Sequence, residues 1–167
     1  LGIDVASLTR PCDSVMFCLS KGLAAPVGSM VVGSASFIEK ARSVRKMLGG
    51  GMRQAGILAA AGLIALEKMP ARLCEDHENA RILAERIARI PGLDIDLSGI
   101  RTNIVIVGIS RTGFGSSKLA ALLKERGVLV GTVDSNTIRL LTHLDVSRKD
   151  VLNAADAFEQ ILQTMKP

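Results

Sequence analysis

Pro91-Gly92 separates two stretches of chain with different rhythms, and that break limits the fold more than any other feature of the sequence. A proline followed by glycine ends a helix and turns the backbone. On its N-terminal side, short apolar runs at 14–19 and 29–33 read as strands on either side of a loop. A helix follows over about 36–48, capped by Ser34 or Ser36 and stopped by Gly49, Gly50 and Gly51. A second helix over 52–68 is rich in small Ala and Gly faces. Pro70 is expected to open a third, polar helix running to Ile90. On the C-terminal side, strands and helices alternate: a short strand at 93–95, a stronger one at 103–109, and a helix at 116–126 ended by Gly127. Strands at 128–131 and 137–142 come next, then a final amphipathic helix capped by Ser147 and ending near Met165. Strands covered by two helices make an α+β sandwich. No internal repeat competes with this layout.

The chain has 167 residues, 48% of them hydrophobic, enough to bury a real core. Its net charge of +5 suits an anionic partner in principle. Nucleic acid is nevertheless not expected, because aromatic residues make up only 2%, Tyr and Trp are absent, and no zinc-finger or RNA-recognition pattern occurs. The densest basic stretch, Lys40 to Lys46, falls on a helix and reads as a solvated or subunit-facing surface. Cys12, Cys18 and Cys74 lack metal-ligand spacing and are odd in number, which fits a reducing cytoplasm better than a disulfide framework. Cys18, alternating with Met16, reads as a small core residue. The longest uncharged apolar run, 55–66, is too short to span a bilayer and reads as a buried helix.

Within Cys18-Leu-Ser-Lys-Gly-Leu-Ala-Ala-Pro26, Lys21 sits in a small-residue turn directly after an apolar strand. A lysine held there reaches a bound aldehyde, although an isolated Ser-Lys-Gly is ordinarily just a solvated turn. The longer stretch, Asp13-Ser-Val-Met-Phe-Cys-Leu-Ser-Lys-Gly-Leu-Ala-Ala-Pro-Val-Gly-Ser29, resembles the cofactor-lysine segment of the threonine aldolases. These are fold type I (aspartate aminotransferase-like) enzymes dependent on pyridoxal phosphate, close to the β-eliminating lyases. Two further blocks are similar to that family: Arg45-Lys-Met-Leu-Gly-Gly-Gly-Met-Arg-Gln-Ala-Gly56 to its glycine-rich segment, and Arg139-Leu-Leu-Thr-His-Leu-Asp-Val146 to its carboxylate-recognition strand. Ala24 departs from the pattern, since the family more often has glycine there.

The resemblance implies an α/β chain that is the C-terminal part of a fold type I subunit. Residues 1–75 would be a remnant of the cofactor-binding large domain, 76–90 a bridging helix, and 91–167 a small α+β domain. The phosphate loop and the ring-stacking residue would then lie upstream, and the fragment alone would be inactive. Lys21 would be the catalytic residue that attaches the cofactor. Ser20, Arg53 and Lys46 would approach its phosphate, the last two helped by the backbone at Gly49 to Gly51. Arg139 would take the substrate α-carboxylate through two parallel hydrogen bonds, a geometry that lysine does not reproduce. His143 is expected to bond Asp145 at a turn, not to act as the base, and His77 to be solvated. The implied activity is cleavage of threonine or allo-threonine to glycine and acetaldehyde by a cytoplasmic homotetramer or dimer, with no nucleic-acid or membrane partner. The alternatives are another fold type I β-eliminating lyase and a catalytically incomplete chain acting only in oligomerisation.

Overall fold

In the computed structural model, which describes residues 2–164, the chain divides after Leu73 into two compact units. The expected end of the last helix near Met165 lies outside the described residues.

In the first unit, a short helix α1 (Val5–Thr9), capped by Asp4, precedes an antiparallel hairpin of β1 (Ser14–Cys18) and β2 (Ser29–Gly33). Ser14 pairs with Gly33 and Cys18 with Ser29. Ser34 then caps α2 (Ala35–Met47), accepting from the Phe37 N–H, and Gly49 at φ +79° turns the chain out of that helix. The unit buries little: Leu19, Ala25 and Ala65, with Phe17 and Leu23 packed against them. Cys18, expected in the core, is only half-buried and accepts a hydrogen bond from the Ser29 hydroxyl, while Met16 is exposed.

The next helix, α3 (Gly56–Ile87), differs from expectation in two ways. It runs through Pro70 without a break. Proline removes one N–H and crowds the carbonyl four residues back. The flanking Leu66-Glu-Lys-Met69 and Ala71-Arg-Leu73 are strong helix formers, and they carry the helix across that local defect. The apolar run expected to be buried is also largely exposed, with Ile57 at 85% and Leu63 at 58%; Gly62 and Ala65 are buried, and Ala55, Leu58 and Ala61 half-buried.

The second unit holds the main core. Strands β3 (Ile104–Gly108), β4 (Gly131–Asp134) and β5 (Thr137–Leu141) form an antiparallel sheet in the order β3-β5-β4. Val105, Val107, Ile138 and Leu140 line its inner face. Against them pack Leu119 and Leu123 of α4 (Ser116–Glu125) and Val151, Ala155, Phe158 and Ile161 of α5 (Arg148–Thr164). Ala80, Leu83, Ala84 and Ile87 of α3 join the same core, so three helices cover the sheet and not two. The strand expected at 93–95 is reduced to a single bridge between Asp94 and Gly108. The strand expected from Val128 starts at Gly131 instead. Gly127, at φ +76°, reverses the chain, and the Val128 N–H closes the end of α4 on the Leu123 carbonyl, so these residues are used up in the turn.

Candidate functional site

The ten residues joining β1 to β2 are tied down by their own backbone. The Leu19 N–H donates to the Gly28 carbonyl at 2.9 Å, Ala25 to Leu19 at 2.9 Å, and Ala24 to the Lys21 carbonyl at 2.8 Å. Lys21 is therefore the first residue of a tight turn whose base is closed by Leu19, and its side chain is exposed with Ser20 beside it. The turn also lies close on α3. A Cβ added at Gly22 would come within 3.0 Å of Leu73 Cδ2, and one at Gly62 within 3.3 Å of Leu19 Cδ1. Small residues at these positions allow the approach that holds Lys21 at a fixed place while its amine stays open to solvent. Ala24 adopts φ +57°, a left-handed conformation that glycine takes without strain and alanine does not.

Lys46 and Arg53 come together. They line an open basin of about 740 Å³ with Arg42, Ser43, Arg45, Gly49, Gly51 and Met52. Four cations and no carboxylate line it, which suits a phosphate monoester. Part of that charge also offsets the negative C-terminal end of α2. Arg42 and Arg45 were not singled out from the sequence. The signal was present in their helical spacing to Lys46, which puts all three on one stripe of α2. Neither Lys21 nor Ser20 lines this basin, so the structure brings each pair together without joining the two pairs. The lysine turn and the basin fit the cofactor in kind: an accessible amine, and cations with close glycine backbone for its phosphate.

In the second unit, Arg139 lies mid-strand on β5 with its side chain on the outer face, opposite Ile106 of β3 and Gly131 of β4. The alternation Ile138 in, Arg139 out, Leu140 in follows from the two-residue period of a strand. Ile104, Ile106 and Leu141 on the same face are partly exposed. His143 follows the strand, and its Nδ1 accepts from the Asp145 N–H at 3.3 Å, the turn-holding bond expected of it. His77 is half-buried beside Glu78, Arg81 and Arg101, not fully solvated. The carboxyls held below their ordinary range, Asp96 and Asp150, belong to caps: Ser98 donates to the first and Ser147 to the second. Among the described residues, no cluster of side chains could hold a metal ion, and no helix is long and apolar enough to cross a membrane.

The chain is similar to known proteins in family, in sequence and in fold. A family model described as beta-eliminating lyase matches residues 1–110. Low-specificity L-threonine aldolase 1 of Arabidopsis thaliana is 42% identical over 167 residues, covering 99% of this chain and 47% of the relative. The low-specificity L-threonine aldolase of Escherichia coli K12 is 45% identical over 154 residues, 92% of this chain and 44% of the relative. The chain thus spans about half the length of the curated relatives it matches. Among solved structures, an L-allo-threonine aldolase candidate from Listeria monocytogenes aligns with a TM-score of 0.70 at 17% identity, over 89% of this chain and 44% of that one. An alanine–glyoxylate aminotransferase from Nostoc aligns at 0.69 and 20% identity, over 96% and 51%. At such identities these two likenesses show the fold alone.

Proposed function

Because the chain belongs to the beta-eliminating lyase family, we propose that it serves a pyridoxal-phosphate-dependent threonine aldolase. Its architecture is part of a fold type I enzyme. The reaction is cleavage of the Cα–Cβ bond of threonine or allo-threonine, giving glycine and acetaldehyde. The observation that carries this reading is the 42% identity to an L-threonine aldolase over 99% of the chain.

The residues divide the work as follows. Lys21 attaches the cofactor through its amine, which reacts in the neutral form. Ser20, Lys46 and Arg53 take the phosphate, the last two in their own subunit or across a contact with a second copy. Arg139 grips the substrate α-carboxylate with a planar pair of N–H groups, and holding the carboxylate selects which Cα bond is aligned for cleavage. When bound, pyridoxal phosphate supplies an electron sink for the carbanion left at Cα. His143 keeps the turn before α5 in shape. Residues 1–75 act in this reading as a remnant of the cofactor-binding large domain, 76–90 as the bridging helix and 91–167 as the small domain, in a cytoplasmic homodimer or homotetramer.

The test is borohydride reduction of the intact protein after incubation with pyridoxal phosphate, followed by peptide mapping and product analysis. A reduced adduct on Lys21, with glycine and acetaldehyde formed from threonine, is expected. An adduct elsewhere refutes the lysine assignment. Release of a keto acid and ammonia instead would make the protein a β-eliminating lyase that uses the same residues.

A further inference from the structure

We propose that Gly131 positions Arg139 for the substrate carboxylate by leaving clear the lane across β4 in which the guanidinium lies. The proposal rests on the reading of Arg139 as the carboxylate-binding residue. Gly131 is the direct partner of Arg139 in the β4–β5 register, and Ile106 is its partner on the other side. A Cβ built on Gly131 would stand 3.9 Å from both Nε and Nη2 of Arg139. The side chain therefore lies toward β4, where its register partner carries no side chain.

Backbone conformation does not call for glycine here, because Gly131 is outside the left-handed region that favours it. Glycine also weakens a strand. What its missing side chain does supply is room. An alanine methyl would only reach ordinary contact, whereas γ atoms lie about 1.5 Å further out and would enter the space of the guanidinium. The register irregularity between Thr132 and Asp134 directly follows, where a bulge re-aims the edge strand. Among the described residues Arg139 has no ion pair or side-chain hydrogen bond, so nothing else fixes its direction. Two parallel bonds to a carboxylate need that direction fixed.

The experiment measures binding of glycine and of 2-aminoethanol, an amine without a carboxylate, to the cofactor-loaded intact protein by calorimetry. Gly131→Val is expected to weaken glycine about tenfold or more, the effect of losing one hydrogen bond to a charged group, and to leave 2-aminoethanol unchanged. Gly131→Ala is expected to bind both like the parent. Where the valine variant does not fold, Gly131→Ser, with one γ atom, decides by the same comparison. Unchanged glycine affinity in the valine or serine variant, while Arg139→Ala weakens glycine, overturns the role of Gly131 alone. Equal loss for both amines also overturns it, as general damage. If Arg139→Ala leaves glycine affinity unchanged, the carboxylate assignment fails and this inference fails with it.

Discussion

Ala24 holds a left-handed φ of +57° in the turn that presents Lys21, a conformation costing an L-residue roughly 1–2 kcal/mol. Ala24→Gly relieves that strain but makes the unfolded chain more flexible, a loss of about 0.4–1 kcal/mol. The balance predicts stabilisation of about 1 kcal/mol or somewhat less, read as a higher midpoint in urea with an unchanged slope. An unchanged or lower midpoint would show that the turn carries no strain. Individual residues were legible in the sequence where a local rule governed them. The outward face of Arg139 follows from strand alternation, and the Ser34 cap from its place before α2. Arg42 and Arg45 were not picked out. Joining the basin with Arg53 depends on how the chain reverses through Gly49 to Gly51, which no short pattern states.

Among the elements, α5 has the most readable start. The Ser147 N–H donates to Asp150 Oδ2 at 2.9 Å, and the Asp150 N–H returns to Ser147 Oγ at 3.2 Å, a reciprocal cap. The Ser147 bonds favour the ionised carboxylate and lower its pKa. A depressed folded-state pKa gives stability that is present above the unfolded value and lost as pH falls through the folded one. The parent is therefore expected to melt above Asp150→Asn at neutral pH, and the gap to close below about pH 3.9. A gap that persists undiminished at pH 3 would sink the account. The starts of α2 and α5 were legible because capping is local. The continuity of α3 and the late start of β4 were not. Pro70 is outweighed by helix formers on both sides, and Val128 is claimed by the end of the preceding helix.

Across the molecule, burial is uneven. Among the described residues, eighteen apolar side chains form the core of the second unit and three that of the first. Hydrogen exchange measured on residues 1–167 should therefore find the amides of Val105, Val107 and Ile138 strongly protected and those of β1 and β2 exchanging much faster. Equal protection in the two would mean that the first unit has a support not accounted for by its burial. The sequence carried the overall class of the fold, since periodicity reports secondary structure. It did not reveal that the apolar run on α3 stays exposed, because periodicity is silent about what lies opposite a helix. The hairpin has a parallel consequence. Met30, Val31 and Val32 are exposed on β2, which is paired on one edge only, and an apolar strand with an open edge recruits strands from other molecules. The net charge of +5 opposes that recruitment, and salt screens it over about 8 Å at physiological strength. Raising the salt concentration is therefore expected to promote association of this chain through that edge, which light scattering would read.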